Sequence, residues 1–464
     1  MIDEFERRLD SFNSEQREET LNLLLEEVEN GQVVLPAPTD RLNLHCHTFF
    51  SYNSYGYSPS KFAWLARKAG LAVAGIVDFD VLDGLAEFLK ASQMLGLKAC
   101  VGMETRVFVP EFADKVINSP GEPGIAYHIG VGFPGAEMHG GLKEFLANLK
   151  KIAQERNRAL TERVNQYLSP VELDWEQDVI PLTPAGNPTE RHISLAFAKK
   201  AGEVFADKKQ LVQFWTEKLG TDFESSDLPE GRDFLNTIRA KTMKRGGVGY
   251  AQPDAGAFPK MEETNRFILA AGGIPTLGWL DGTSEGEKEI ERLLEVAMRS
   301  GVAALNIIPA RNYTPGVKDE KLANLYRVVE LADKLNLPVV VGTEMNSWGQ
   351  ELVDDFDSQE LSPLLPVFLK GGHIVYAHSV LQQRAGFGYT SRWAQENFAS
   401  LEAKIEFFKK IGELLQPCEE RFLDGLPEDV GPKEILKNFE GKFGGGKDES
   451  RGPKKSNSVG VDRP

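Results

Sequence analysis

The chain has 464 residues, 41% of them hydrophobic and 26% charged, which gives room for a substantial core in one large domain or two to three ordinary ones. Its formal charge of −16 repels phosphate backbones, so broad nucleic-acid binding is not expected, although a local basic pocket for a single phosphate remains compatible with it. Cys46, Cys100 and Cys418 are an odd, widely spaced set without a disulfide framework, the N-terminus is charged, and no apolar run approaches the roughly 18 residues of a membrane span. Together these features point to a cytoplasmic protein in a reducing compartment with no membrane partner.

From Asp3 to Glu29 the apolar residues Phe5, Leu9, Phe12, Leu21, Leu24, Leu25 and Val28 recur at helical spacing, with Asn13-Ser14 suited to a helix start. This predicts a helical prefix over residues 1–40, ended by Pro36 and Pro38. Eight strand-like runs follow: Leu42 to His45, Val73 to Asp78, Ala99 to Val107, Ala126 to Val131, Ile274 to Trp279, Ala303 to Ile308, Val339 to Glu344 and Ile374 to His378. Alternation with helices of ordinary length predicts parallel βαβ units in an α/β protein, closed most simply as a distorted (β/α) barrel over 41–440, with a doubly wound open sheet as the alternative. Two stretches depart from this rhythm. Residues 151–259 read as a helical insertion between barrel strands, and 350–440 add the last strand and further helices. Residues 441–464, with three consecutive glycines and few large apolar side chains, are expected to be disordered.

Chemistry concentrates at predicted strand ends. His45 and His47 stand at i and i+2 and so share one face of a strand, while Cys46 faces the other way. A barrel builds its site at the C-terminal ends of its strands, and those ends also carry Asp78, Glu104, His128 and Glu344. Several carboxylates and imidazoles buried together cost several kcal/mol per unpaired charge, which a divalent cation compensates directly. The expected cofactor is therefore a divalent metal ion such as Mn, Zn, Fe or Mg.

The order of these motifs resembles that of the polymerase and histidinol phosphatase (PHP) family, especially its metal-dependent phosphoesterases. Leu44-His-Cys-His-Thr48 is similar to the family's opening motif, Ile76-Val-Asp-Phe-Asp80 to its second and Gly102-Met-Glu104 to its glutamate motif. Tyr127-His-Ile-Gly130, Glu190-Arg-His-Ile193, Ala271 to Leu277 and Gly342 to Asn346 fall in the corresponding order. The resemblance implies a PHP-type barrel, hydrolysis of a small phosphorylated compound by a metal-activated water, and phosphate binding by Arg191 and His192.

The chain also departs from the family pattern. Tyr52, Phe79, Trp279 and Asn346 stand where that pattern places histidines or aspartates. Mapped onto the three metals the resemblance implies, the first keeps His45, His47 and Glu104 with Glu344 as its fourth ligand. The second keeps Glu104 and His128 and loses a ligand to Trp279, and the third loses its set to Tyr52, Phe79 and Asn346. One ion, and at most two, is expected per chain. The degenerate set leaves two readings open: a metal-dependent phosphoesterase, or a PHP-fold pseudoenzyme that binds a small ligand without turnover. Asp80 reads as an N-cap of the helix after it. His378 reads equally as a ligand from another direction and as a hydrogen-bonded wall residue, while His139 and His373 sit in glycine-flanked, exposed turns. Arg384 to Arg392 reads as a loop, over a pocket or on the surface.

Overall fold

The computed structural model describes residues 1–464 except 136–137, 222, 224–230, 253–255, 314–316 and 444–464. The predicted disordered tail thus lies, apart from its first three residues, outside the described residues. The prefix is two helices, α1 (Ile2–Arg8) and α2 (Ser14–Glu29), and the side chain of Asn13 caps the second by accepting from Gln16 N. Next come α3 (Pro59–Lys68) and α4 (Leu85–Leu95). The prefix is fastened to them by the buried Arg17, whose Nε donates to Glu87 Oε1 at 2.9 Å while Ser60 Oγ donates to the same oxygen at 2.7 Å. A shared carboxylate of this kind meets the demands of a buried guanidinium that would otherwise oppose docking.

Seven strands, β1 (Leu42–Cys46), β2 (Val73–Phe79), β3 (Ala99–Phe108), β4 (Ile125–Val131), β5 (Ile274–Trp279), β6 (Ala304–Ile307) and β7 (Val339–Val341), pair in chain order as one sheet. The predicted all-parallel series is corrected at one strand, because β4 runs antiparallel to both β3 and β5. A parallel crossover usually runs through a helix. Between Phe108 and Ile125 the chain offers only the single turn Pro110–Phe112, and it folds straight back with Val109 N donating to Gly124 O at 2.8 Å.

The sheet curls until its two edges meet. Glu344 N donates to His45 O and His47 N donates to Glu344 O, both at 2.8 Å, so the end of β7 closes on the end of β1 as a nearly closed, mixed seven-stranded barrel. Gly342 makes the approach feasible, since a Cβ there would lie 2.3 Å from His45 N and 2.5 Å from Asn43 Oδ1. Glu344 and Met345 then turn the chain with φ of 61° and 56°, a region that non-glycine residues enter only when held there.

The insertion begins earlier than residue 151. Helix α5 (Gly141–Leu168) opens it, and α6 (Glu190–Val204), α7 (Lys208–Leu219) and α8 (Arg232–Thr242) follow. It owns a separate core that includes Leu160, Val164, Phe197, Trp215 and Ile238. Asn187 carries it over the barrel mouth by donating to Phe79 O at 2.9 Å and to Phe50 O at 3.2 Å. Barrel helices α9 (Met261–Ala270), α10 (Ile290–Arg299) and α11 (Lys318–Lys334) complete the repeat units.

The expected eighth strand, Ile374 to His378, is instead part of α12 (Leu365–Ala385), followed by α13 (Arg392–Asn397), α14 (Leu401–Leu414) and α15 (Pro432–Phe443). A helix buried on nearly every side carries a continuous apolar run that resembles an interior strand. The Gly371-Gly372 pair, which reads as a turn, serves close packing: a Cβ on Gly371 would lie 1.8 Å from Val339 O. His373 is therefore half-buried within a helix, whereas His139 is exposed. The segment 384–392 is the end of α12 and a packed connection, with Phe387 and Tyr389 buried. No helix among the described residues is long and apolar enough to cross a membrane.

His378 is a wall residue. Its Nε2 donates to Gly272 O at 2.9 Å and its Nδ1 accepts from Tyr389 N at 2.8 Å. Burial holds its pKa down to about 4 from the ordinary 6.5. His378→Ala strands both backbone groups, and chemical denaturation at pH 8 is expected to show a loss of about 2–5 kcal/mol with metal content unchanged. Because the folded-state pKa is depressed, this contribution is present above pH 6.5 and is lost as pH falls towards 4, so the difference between the two proteins shrinks on acidification. A constant difference from pH 8 to pH 4 would contradict this assignment.

Candidate metal centre

His45 leaves β1 and His47 follows two residues later, so both imidazoles turn into the barrel, where Glu104 of β3 meets them. His45 Nε2 lies 3.2 Å and His47 Nε2 3.3 Å from Glu104 Oε2. One ligand atom from each of the three buried residues falls within 4.8 Å of the others. His45 donates from Nδ1 to Asn306 Oδ1 of β6 at 3.1 Å. On the other ring, Ser51 Oγ donates to Asp78 Oδ1 at 2.6 Å, so its lone pairs accept His47 Nδ1–H at 3.0 Å. Asp78 also takes Thr48 N at 2.8 Å and Thr48 Oγ1 at 2.7 Å, which fixes the loop after β1. Both rings are thereby oriented from behind with Nε2 directed inward.

With Nδ1–H on Ser51, the buried His47 Nε2 has no well-directed hydrogen bond among the described residues; its polar neighbour is Glu104 Oε2 at 3.3 Å, and its lone pair is open to a cation. Two imidazole nitrogens and one carboxylate fit a divalent ion with open coordination positions. Burial pushes the Glu104 carboxyl up, but the hydrogen bond from His45 and the approach of both imidazoles outweigh it and bring it down to about 2. Burial likewise pulls His45 down, and Glu104, Glu344 and Asn306 raise it above its ordinary value. A cation placed among these groups would compensate the same buried carboxylate.

Glu344 stands beside this group without joining the three. Its Oε1 receives Arg311 Nη2 at 3.1 Å and Nε at 3.3 Å, and Gln350 Nε2 reaches Oε2 at 3.3 Å. Burial raises the Glu344 pKa, but Arg311 together with His45 and His47 outweighs it and the net shift is downward; the charge of Glu344 raises Arg311 in turn. Arg311 lies just after β6, outside every motif, and nothing but a charge near a strand end marks it in the sequence.

The other predicted residues separate. His128 faces away from the group, with Nε2 bonded to Asn265 Oδ1 of α9 at 2.6 Å, and the structure does not bring it to His45 or Glu104. His192 is buried at the third position of α6, where its Nδ1 accepts Thr189 N at 3.1 Å; burial holds it down to about 3, so it acts as a neutral helix cap. Trp279 is packed in the core. Phe79 stacks on His47 with centroids 4.5 Å apart, and Tyr52 meets the His192 ring edge-on at 4.9 Å. Asp80 does not cap the following helix, whose N-cap is Gly84; with φ of 60° it accepts Thr105 Oγ1 at 2.6 Å.

A cleft opens above the group between the barrel and the insertion, lined by Tyr52, Phe79, Tyr127, Arg191 and Asn346 among others. Phe79 belongs to both, with its ring against His47 and in the cleft wall. Arg191 does reach this mouth: its Nη2 donates to Asn346 Oδ1 at 3.2 Å, and burial followed by the nearby Arg239 lowers its pKa to about 10.

The sequence matches no protein-family model and no curated protein. Among solved structures, an amidohydrolase from Chromobacterium violaceum with bound sulfate and no metal is similar at 18% identity and a TM-score of 0.46, over 67% of this chain and 88% of that one. A protein from Bifidobacterium adolescentis assigned as a metal-dependent phosphoesterase gives 18% identity and a TM-score of 0.42, over 72% and 97%. Likenesses this distant carry no argument about activity.

Two substitutions test the centre through its supports. Ser51→Ala releases the His47 tautomer and is expected to weaken Mn²⁺ or Zn²⁺ affinity about 10–100-fold. Arg311→Met frees Glu344 and is expected to strengthen it. Competition against a chelating dye reads both, and affinities equal to wild type in the two variants would contradict the geometry.

Proposed function

We infer that the protein is a metal-dependent hydrolase of a small phosphorylated compound, built around one ion rather than a cluster. The observation that carries this reading is the buried His45–His47–Glu104 group, with both Nε2 atoms turned to one carboxylate, opening on a cleft that presents a guanidinium. The chemistry a divalent ion supplies in such a site is a lowered pKa for water and polarisation of a phosphoryl oxygen. The residues of the chain supply the rest. Arg191 neutralises a bound phosphate, Asn346 orients Arg191, and Phe79 and Tyr52 wall the site against solvent. Asp78, through Ser51, holds the His47 proton on Nδ1.

A second reading is favoured by a specific contact. Arg311 and Gln350 occupy the carboxylate of Glu344, the residue the PHP resemblance makes a ligand. With that ligand engaged and Tyr52, Phe79 and Asn346 unable to hold a further cluster, the site is also suited to a protein that binds a phosphorylated ligand without turning it over.

Assays with Mn²⁺, Zn²⁺ or Fe²⁺ against phosphomonoesters and dinucleotides separate the two. The hydrolase reading expects activity that falls at least 100-fold in the His45→Ala, His47→Ala double variant, a loss of about 2.7 kcal/mol in transition-state stabilisation. Equal rates in the two proteins, with metal loading of the wild type verified, favour the binding protein.

A further inference from the structure

The cleft carries more positive charge than the hydrolase reading uses. Arg106, Arg156, Arg191, Arg239 and Lys244 all line it. Three of them have carboxylate partners: Arg106 pairs with Glu122 at 2.8 Å, and Arg239 and Lys244 share Glu190 at 2.9 and 2.7 Å. Among the described residues, Arg191 donates to the amide oxygens of Asn236 at 3.4 Å and Asn346 at 3.2 Å and has no carboxylate partner. Arg156 of α5 has neither an ion pair nor a hydrogen bond among the described residues. Its guanidinium lies 5.3 Å from the centroid of the buried Phe258 ring, which also takes Arg106 at 4.4 Å. Asp80 and Glu190 act on Arg156 only at longer range, and the bond from Thr105 already engages Asp80 Oδ1.

An unpaired guanidinium withdrawn from bulk water and set beside another cation is destabilising in the free protein. Burial, then the charge of Arg106, depresses its pKa to about 10, which still leaves it charged at neutral pH. The ring of Phe258 fixes it in place without neutralising it, since a cation over an aromatic face keeps its N–H donors free at the edge. That arrangement, in a chain of net charge −16, concentrates a phosphate-class anion locally.

We propose that Arg156, held on Phe258 and flanked by Arg106, is a binding residue for a phosphate-class oxyanion, at a subsite of the cleft distinct from the metal centre. The subsite stands whether or not the metal centre hydrolyses anything. If the hydrolase reading also holds, the compounds this protein selects carry an anionic group besides the one at Arg191.

The test uses the full chain stripped of metal with a chelator, inorganic phosphate as the probe, and isothermal titration with thermal denaturation as readouts. An Arg191→Met background removes the other cation that lacks a carboxylate. In that background phosphate binding is expected to persist, to weaken at least 10-fold on adding Arg156→Met, and to return in part with Arg156→Lys. The Tm of Arg156→Met without phosphate is expected to equal or exceed that of its parent, because the methionine keeps the packing on Phe258 and removes the unpaired charge. Unchanged phosphate affinity, no binding in the Arg191→Met parent, or a lowered Tm accompanying the loss would each overturn the proposal. An inactive protein that still binds phosphate through Arg156 would count against the hydrolase reading alone.

Discussion

Two backbone hydrogen bonds join His45 and His47 to Glu344, and the site depends on them. They close the barrel and, in the same step, fix the spacing of the histidine pair, so the imidazoles inherit their positions from the sheet. Closure requires the bare Cα of Gly342 against β1 and two consecutive left-handed residues, Glu344 and Met345. Strain of about 1–3 kcal/mol per such residue persists only where surrounding structure holds it. Here the closing pair holds it, and it turns the Glu344 side chain towards Arg311.

Charge balance then separates the two halves of the site. Around Glu104 the compensation comes from the two imidazoles of His45 and His47, whose ring nitrogens can also serve as metal ligands. Around Glu344 it comes from a permanent cation that no metal can deprotonate. The second arrangement engages Glu344 with Arg311 and so sets it apart from the His45–His47–Glu104 group. Beyond it lies the insertion, whose cap His192 and guanidinium Arg191 arrive on the same helix start and serve different ends, one structural and one facing the cleft.

Much of the centre was legible because strand periodicity places i and i+2 on one face. His45, His47 and Glu104 could be read as convergent from that rule and from their positions at strand ends. His128 obeyed the same pattern and still misled, because reversal of β4 sets it beside Thr105 in the ladder and sends its ring to Asn265. The reversal goes with a connection that holds one 3-10 turn and no crossover helix, which alternation alone could not show. Ile374 to His378 failed for a related reason: burial on nearly every side removes the periodic signal that separates helix from strand. Arg311, Asn306 and Arg156 were invisible because each reaches the site from an element with no motif, and only the tertiary structure supplies their partners.

We propose one ion between His45, His47 and Glu104. Anomalous diffraction from crystals loaded with Mn²⁺ or Zn²⁺ tests it most directly. One peak within coordination distance of His45 Nε2, His47 Nε2 and a Glu104 oxygen, with His128 still on Asn265, is the predicted result. Two or three peaks, or a peak coordinated by His128, would contradict it.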